Sequence, residues 1–354
     1  MIKWIIPVLL LTITLSLSAQ NPDYNNRIHL IYKSTIQDFS IPQSGLYKET
    51  NGEKNEKKYS YLWPLCAFMQ AANEMEVMEP KKDYLNPVMK AIAQYYNTNA
   101  PTPAYQAYVT KEEADTRYYD DNQWIGIAAM DAYNRTKKKS YLDLSKQIYR
   151  FMMTGFDTIS GGGLYWREGD KTSKNTCSNG PAVLLALQLY KVTHEKGYLD
   201  TALLLYNWTN KWLLSPQGVY YDAIKVPSLV IDKPTYTYNT GTMLQSAVLL
   251  YSISKNDKYL NEAKKMADAA ERHFYVNKQL PGNYWFNAVM LRGFVELYRV
   301  EKDKKRLQFF IDDSERIWQQ EKDTMNLLGK KDVKSLIDQS AMLEIYARLQ
   351  LLNK

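Results

Sequence analysis

Two aspartates stand side by side in "RYYDDNQWIGIAAMDAYNR", residues 117–135, with two tyrosines before them and a tryptophan three residues after the second. Like charges at adjacent positions repel, so Asp120 and Asp121 need a reason to be together. One reason is structural: Asp120 caps a helix and Asp121 occupies its first turn, each stabilised by the helix dipole by about 0.3–1 kcal/mol. The other is chemical. A glycosidase flanks the scissile bond with two carboxyl groups, one acting as nucleophile or base and the other as proton donor. Adjacent side chains at a helix start splay, which permits the separation of about 5–5.5 Å that accompanies retention of configuration. Close like charges also drive two pKa values apart, so one acid keeps its proton while its neighbour is ionised, although the two titrations belong to the pair.

Chemistry of this kind needs a scaffold, and the chain repeats itself in a way that supplies one. "KKDYLNP", "KKSYLDL", "EKGYLDT" and "NDKYLNE" recur, with Tyr84, Tyr141, Tyr198 and Tyr259 spaced by 57, 57 and 61 residues. Each follows a lysine-containing turn and opens an amphipathic helical pattern such as Leu142, Ile148, Tyr149 and Met152. So long a period, holding two helical patterns, predicts stacked helical hairpins. More apolar helices are expected from near Tyr61, Asp121, Gly180, Thr240, Trp285 and Ser335, with polar-faced partners near 27–39, 84–96, 140–154, 198–214, 257–275 and 303–320. Small residues crowd the apolar set, as in helices packed on most sides. Six of each predicts an all-α fold, an (α/α)6 toroid with an inner and an outer ring. Alternating β-branched runs are nearly absent. Stretches such as "GVYYDAIKV" at 218–226 are expected as loops between an outer helix and the next inner one.

If the inner helices run parallel, the segments before them share one rim. That rim carries Trp63, Tyr118, Tyr119, Asp120, Asp121, Trp124, Trp166, Asn179, Tyr238 and Asn239. Stacking faces together with oriented hydrogen-bonding groups make a site for a polyol, and the helix N-termini add a positive dipole end. Bland roles compete at each position. Trp63, before Pro64, starts a helix; Trp124 could face the core; Asn179 and Asn239 could be N-caps; Arg292 is expected to pair with Glu296 four residues on. Gly161-Gly162-Gly163 lacks the flanking strand and Gly-Lys-Ser/Thr of a phosphate loop.

Composition narrows the classes further. Lys3, an apolar run from Trp4 to Leu15 and the small residues Ser16, Ser18 and Ala19 read as a signal peptide over 1–19, leaving 20–354 as one catalytic domain. The protein is therefore expected in the periplasm or outside the cell, with no cysteine after the cleavage point to take a lipid and no membrane anchor. The net charge of +7 is scattered in lysine clusters beside turns, which are solvated helix ends rather than a nucleic-acid stripe. His29, His194 and His273 lie far apart, so no metal site is expected. Cys66 and Cys177 are expected as buried thiols, with one disulfide as the alternative. The 29 tyrosines and 8 tryptophans fit sugar recognition as well as helix packing.

With these residues in view, "YYDDNQWIGIAAMDAY" resembles the Asp-Asp motif of glycoside hydrolase family 76, the bacterial α-1,6-mannanases. "GGGLYWREGDKTSKNTCSNGPAVLLALQLY" is similar to the family's Gly-Gly-x-x-Trp segment running through Lys-Asn, and "YTYNTGTMLQSAVLLY" to its Tyr-Asn-x-Gly segment, in the expected order. The resemblance implies an (α/α)6 toroid that hydrolyses α-mannosidic bonds with retention, most directly the α-1,6 backbone of mannan. It implies Asp120 as nucleophile and Asp121 as general acid/base, while their place on the rim puts Trp63, Tyr119, Trp124, Trp166, Asn179, Tyr238 and Asn239 forward as substrate-binding residues. Where typical members carry Phe-Lys-Gly, this chain reads Phe286-Asn287-Ala288 and keeps Arg292 downstream. No cofactor is implied, and a monomer acting on an α-mannan-like polysaccharide is expected. The rivals are another toroid enzyme, such as an unsaturated-uronide hydrolase, and a glycan-binding protein without catalysis.

Overall fold

Six helices bury residues on nearly every side and six bury a single stripe, and that difference sorts them into two rings in a computed structural model describing residues 22–352. In chain order the helices are α1 (Tyr24–Phe39), α2 (Leu62–Met78), α3 (Leu85–Ile92), α4 (Tyr119–Thr136), α5 (Lys139–Met153) and α6 (Thr176–Thr193). They continue as α7 (Lys196–Leu213), α8 (Thr237–Ser254), α9 (Asp257–Phe274), α10 (Tyr284–Glu301), α11 (Gln308–Gln320) and α12 (Leu336–Leu352). The even-numbered helices carry unbroken buried runs, such as Thr176 to Leu187 in α6. An odd-numbered helix such as α5 buries only Ser145, Ile148, Phe151 and Met152, the stripe of a helix with solvent on its far side. The export signal read in residues 1–19 lies outside the described residues.

Each even helix packs on the next, α2 on α4, α4 on α6, α6 on α8, α8 on α10, α10 on α12 and α12 back on α2. The inner ring thus closes. Helices α8 and α10 approach most tightly, because a Cβ on Gly241 would collide with the backbone of Met290. Outer helices α3, α5, α7 and α9 each lie on the inner helix that precedes them, while α1 crosses the ends of the chain to cover α12. There Tyr24 stacks on Tyr346 at 5.4 Å, and Arg27 reaches Glu315 with both guanidinium nitrogens at 2.6 and 2.8 Å. Three of the four repeat tyrosines pack edge-on within the outer ring: Tyr84 meets Tyr32, Tyr198 meets Tyr149 and Tyr259 meets Tyr206.

The toroid expected from the repeat is the observed fold, with two local differences. The outer helix expected over 84–96 ends at Ile92 and tightens into a 3-10 turn over Ala93–Tyr95. The stretch 218–226, expected as loop, contains a strand, Tyr221–Lys225, between Ser173–Asn175 and Ile231–Thr235 in an antiparallel sheet. The segments preceding α6 and α8 lie side by side on one rim, and pairing satisfies their backbone groups where water is partly excluded. Cys66 and Cys177 are free, buried thiols. No helix among the described residues is long and apolar enough to cross a membrane.

Candidate active site

The N-terminal ends of the inner helices open into a cleft of about 740 Å³. Its floor is made from their first turns: Trp63 of α2, Asp120, Asp121 and Trp124 of α4, Cys177 of α6, and Trp285 and Phe286 of α10. Walls come from the preceding segments, with Tyr61 and Tyr118, Trp166, and Asp222 and Lys225 of the sheet. Aromatic rings run on continuously from Trp63 to Trp285 at 5.8 Å and Trp124 to Trp285 at 5.4 Å, and Phe286 stacks on Tyr238 at 4.0 Å. Such a wall offers stacking faces to several sugar rings in a row.

One device anchors this rim. The fourth residue of α4, α6 and α12 is an amide, Asn122, Asn179 or Gln339, that grips one residue of the preceding segment by both backbone groups. Asn122 holds Tyr105 at 2.8 Å on each side, Asn179 holds Leu164 at 2.8 and 3.0 Å, and Gln339 holds Leu328 at 2.8 Å on each side. Each amide also donates to the carbonyl four residues back, at Tyr118, Asn175 or Ser335. In α10 the amide is Asn287, which donates to Pro281 O at 2.7 Å and accepts from Thr237 at 3.0 Å. The residue replacing the family's usual lysine is therefore a buried tether in this chain.

These tethers correct part of the substrate-binding set. Asn179 is fully buried with its amide spent on backbone, and it lies outside the cleft lining. Tyr119 turns inward, its hydroxyl 3.2 Å from Thr154 and its ring against Phe151; Tyr118 takes the cleft-facing position. Asn239 is fully buried beside Asp222 and also outside the lining. Trp63, Trp124, Trp166 and Tyr238 do line the cleft with both aspartates. Sequence reasoning missed Tyr61, Asp115, Cys177, Tyr236, Trp285 and Phe286. The last two sit in the first turn of α10 as Trp63 sits in that of α2, so the rim rule itself would have found them.

The aspartates are neighbours with different surroundings. Tyr118, not Asp120, is the N-cap of α4, and it makes no side-chain cap. Asp120 Oδ1 accepts the Asp121 backbone N–H at 3.0 Å, and Oδ2 accepts the Trp166 indole N–H at 3.2 Å. Burial pushes Asp120 up to about 6, against hydrogen bonds from the Cys177 thiol, the Asp121 N–H and Trp166, which pull it down. Asp121 has no such relief. Burial first, then the charges of Asp120 and Asp115, raise it well above the usual carboxylate range. The first acid to ionise is thus Asp120, while its neighbour is pushed toward the protonated form.

A buried ionic chain links three inner helices, from α10 through α12 to α2. Arg292 lies over Trp124 at 5.2 Å and clasps Glu344 at 2.6 and 2.7 Å. Glu344 also binds Arg348, which reaches Glu74 at 2.8 Å. The pairing of Arg292 with Glu296 is therefore corrected: Glu296 bonds Arg299 on the outer face, while Arg292 points inward to the fully buried Glu344 carboxylate. Among the described residues, no group of three or more His, Cys, Asp or Glu could hold a metal ion.

The family model described as glycosyl hydrolase family 76 matches residues 24–280. The chain belongs to glycosyl hydrolase family 76. A mannan endo-1,6-alpha-mannosidase of Saccharomyces cerevisiae is 28% identical over 184 residues, 48% of this chain and 41% of the yeast protein. The chain thus spans about two fifths of the length of the curated relatives it matches. Among solved structures, a family 76 glycoside hydrolase (mannosidase) of Bacteroides thetaiotaomicron is 27% identical, with a TM-score of 0.85 over 94% of this chain and 99% of that one. An α-1,6-mannanase of Salegentibacter shares the fold at 20% identity, with a TM-score of 0.81 over 93% of this chain and 100% of that one.

Proposed function

We propose that this family 76 member is an exported, retaining glycoside hydrolase that cuts α-mannosidic bonds, chiefly the α-1,6 bonds of a mannan backbone. The observation that carries the reading is the unequal solvation of two adjacent acids. Asp120, with its hydrogen-bond donors, is the ionised nucleophile, and Asp121, without them, is the protonated acid. In the first step an Asp120 oxygen bonds to the anomeric carbon while the glycosidic C–O bond breaks, and the departing oxygen takes the proton of Asp121. In the second, Asp121 takes a proton from water, the water oxygen bonds to the same carbon, and the ester to Asp120 breaks.

The substrate class is supported by the relatives. The yeast protein is named for endo-1,6-alpha-mannosidase activity. The Salegentibacter mannanase was seen with α-1,6-mannotriose as an inactive variant in which two consecutive aspartates became asparagine. Charge argues against a uronide: the cleft is lined by Asp115, Asp120, Asp121 and Asp222 against Lys225, a balance that repels an anionic sugar. The aromatic wall suits a neutral chain spanning several rings, and residues 1–19 read as an export signal suit a polymer met outside the cytoplasm.

Digestion of linear α-1,6-mannan by the purified protein, with Asp120→Asn and Asp121→Asn alongside, tests this. The wild type releases oligosaccharides and both variants lose release by about 10³-fold or more. Release that persists in either variant removes that acid from its role. Binding without release by the wild type replaces the hydrolase with a glycan-binding protein.

A further inference from the structure

Among the cleft tryptophans of the described residues, Trp166 alone donates its indole N–H to a carboxylate, Asp120 Oδ2 at 3.2 Å. The segment that presents it is fastened at every step. The fully buried Lys174 ammonium binds Asp157 at 2.6 Å and the carbonyls of Ile159 and Gly162 at 2.8 and 2.7 Å. Gly163 turns with φ +85° against Trp208, where a Cβ would come within 2.6 Å of the indole. Asn179 then grips Leu164, Tyr165 N–H bonds Gly155 O at 3.0 Å, and Trp166 O accepts the Tyr119 N–H at 3.0 Å. Trp166 is thereby tied to the residue next to Asp120. Its ring leans on Tyr118 at 5.0 Å and is 38% exposed, so one edge serves Asp120 while a face remains in the cleft.

From this geometry we infer that Trp166 is a positioning residue for Asp120, fixing the carboxylate and sharing its charge through the indole N–H while its ring supports a sugar. The inference rests on reading Asp120 as the nucleophile. Asp120 is charged before attack, neutral as the ester, and charged again when the ester breaks. A donor that favours the charged form therefore assists the second step, in which the carboxylate leaves. Removing the donor slows ester breakdown more than ester formation.

Trp166→Phe keeps a ring and deletes the N–H; Trp166→His restores a ring N–H. With mannan oligosaccharides, Trp166→Phe is expected to lower kcat by about tenfold or more, the loss of one hydrogen bond to a charged group, and to lower KM with it, because a slower second step leaves the ester to accumulate. Its glycosyl-enzyme should accumulate in intact-mass spectra at steady state, and the acidic limb of kcat/KM, which reports the free enzyme, should move to higher pH, since Asp120 has lost a donor. The other titratable groups lining the cleft, Asp121 on α4, Asp115 and Tyr118 before it, Tyr61 before α2, Cys177 on α6, Tyr236 and Tyr238 at the start of α8, and Asp222 and Lys225 of the sheet, are unchanged by the substitution. Partial recovery of kcat and of the limb in Trp166→His supports the donor role. A higher KM with kcat, limb and adduct level unchanged in Trp166→Phe reduces Trp166 to a stacking surface and overturns the inference. An active Asp120→Asn would instead overturn the reading beneath it.

Discussion

The two rims of the ring are made by the same inner helices and have diverged in opposite directions. At the C-terminal rim, α4, α6, α8 and α10 end on Lys137, His194, Lys255 and Lys302, all left-handed with φ of 58°, 58°, 56° and 61°. Each of these N–H groups bonds the carbonyl of a tyrosine four residues back, Tyr133, Tyr190, Tyr251 or Tyr298. The lysine ammoniums fold over those same tyrosine rings at 5.3, 5.8 and 6.0 Å, and helices α5, α7 and α9 begin almost at once. At the N-terminal rim the connections are long and unlike one another, running from Phe39 to Leu62, from Met153 to Thr176 and from Leu213 to Thr237. A rim that only turns the chain keeps one solution and repeats it. A rim that holds a substrate departs from repetition, because each segment contributes a different wall.

The comparison is sharpest at the acids. Replacing Asp120 or Asp121 by Asn should abolish mannan hydrolysis by about 10³-fold or more yet stabilise the fold at pH 7. The sign follows from burial. A carboxyl whose pKa rises from 3.8 to about 6 on folding contributes its stability below pH 3.8 and loses it as pH climbs through about 6. Asn has nothing to lose, so thermal scans should find Asp120→Asn more stable than wild type at pH 7 and equal to it below pH 3.8. An equal or lower stability at pH 7 would contradict the burial account.

Between the rims, Arg292→Ala removes a partner of Glu344 in the buried chain and should cost about 3 kcal/mol, read as a fall in Tm. A fall of less than a degree would mean that Arg348 alone satisfies Glu344. Next in size, Trp63→Ala takes a stacking face from the cleft and should raise KM about tenfold with kcat little changed; a loss confined to kcat would move Trp63 from platform to chemistry. The smallest effect belongs to the repeating rim. Lys255→Gly relieves a left-handed lysine and should stabilise by about 0.5 kcal/mol in urea unfolding with activity untouched. A change in kcat there would break the division of labour between rims.

Much of this organisation was legible in the residues. The tyrosine repeat marked the helical hairpins because three of its four tyrosines, Tyr84, Tyr198 and Tyr259, pack edge-on between outer helices, and a packing contact that recurs leaves a recurring letter. The acids and four cleft aromatics, Trp63, Trp124, Trp166 and Tyr238, followed from their position before or at the start of inner helices. What misled was the amide. Asn179 at a helix start reads equally as a sugar ligand or an N-cap, and it is neither: Asn175 is the cap and the Asn179 amide holds the backbone of Leu164. Tyr118 and Tyr119 likewise differ by one residue and about 100° around the helix, beyond the precision of a boundary read from sequence. Asp222 hid in a strand, one of whose two partners, Ser173–Asn175, lies far away in the chain.

On the proposed mechanism, unequal surroundings make Asp120 the nucleophile and leave the proton on Asp121. A slowly turned-over fluorinated α-mannosyl fluoride, followed by peptide mapping of the labelled protein, tests it most directly. A single mannosyl ester on Asp120 is the expected result; an ester on Asp121, or inverted product formed without any covalent adduct, would contradict it.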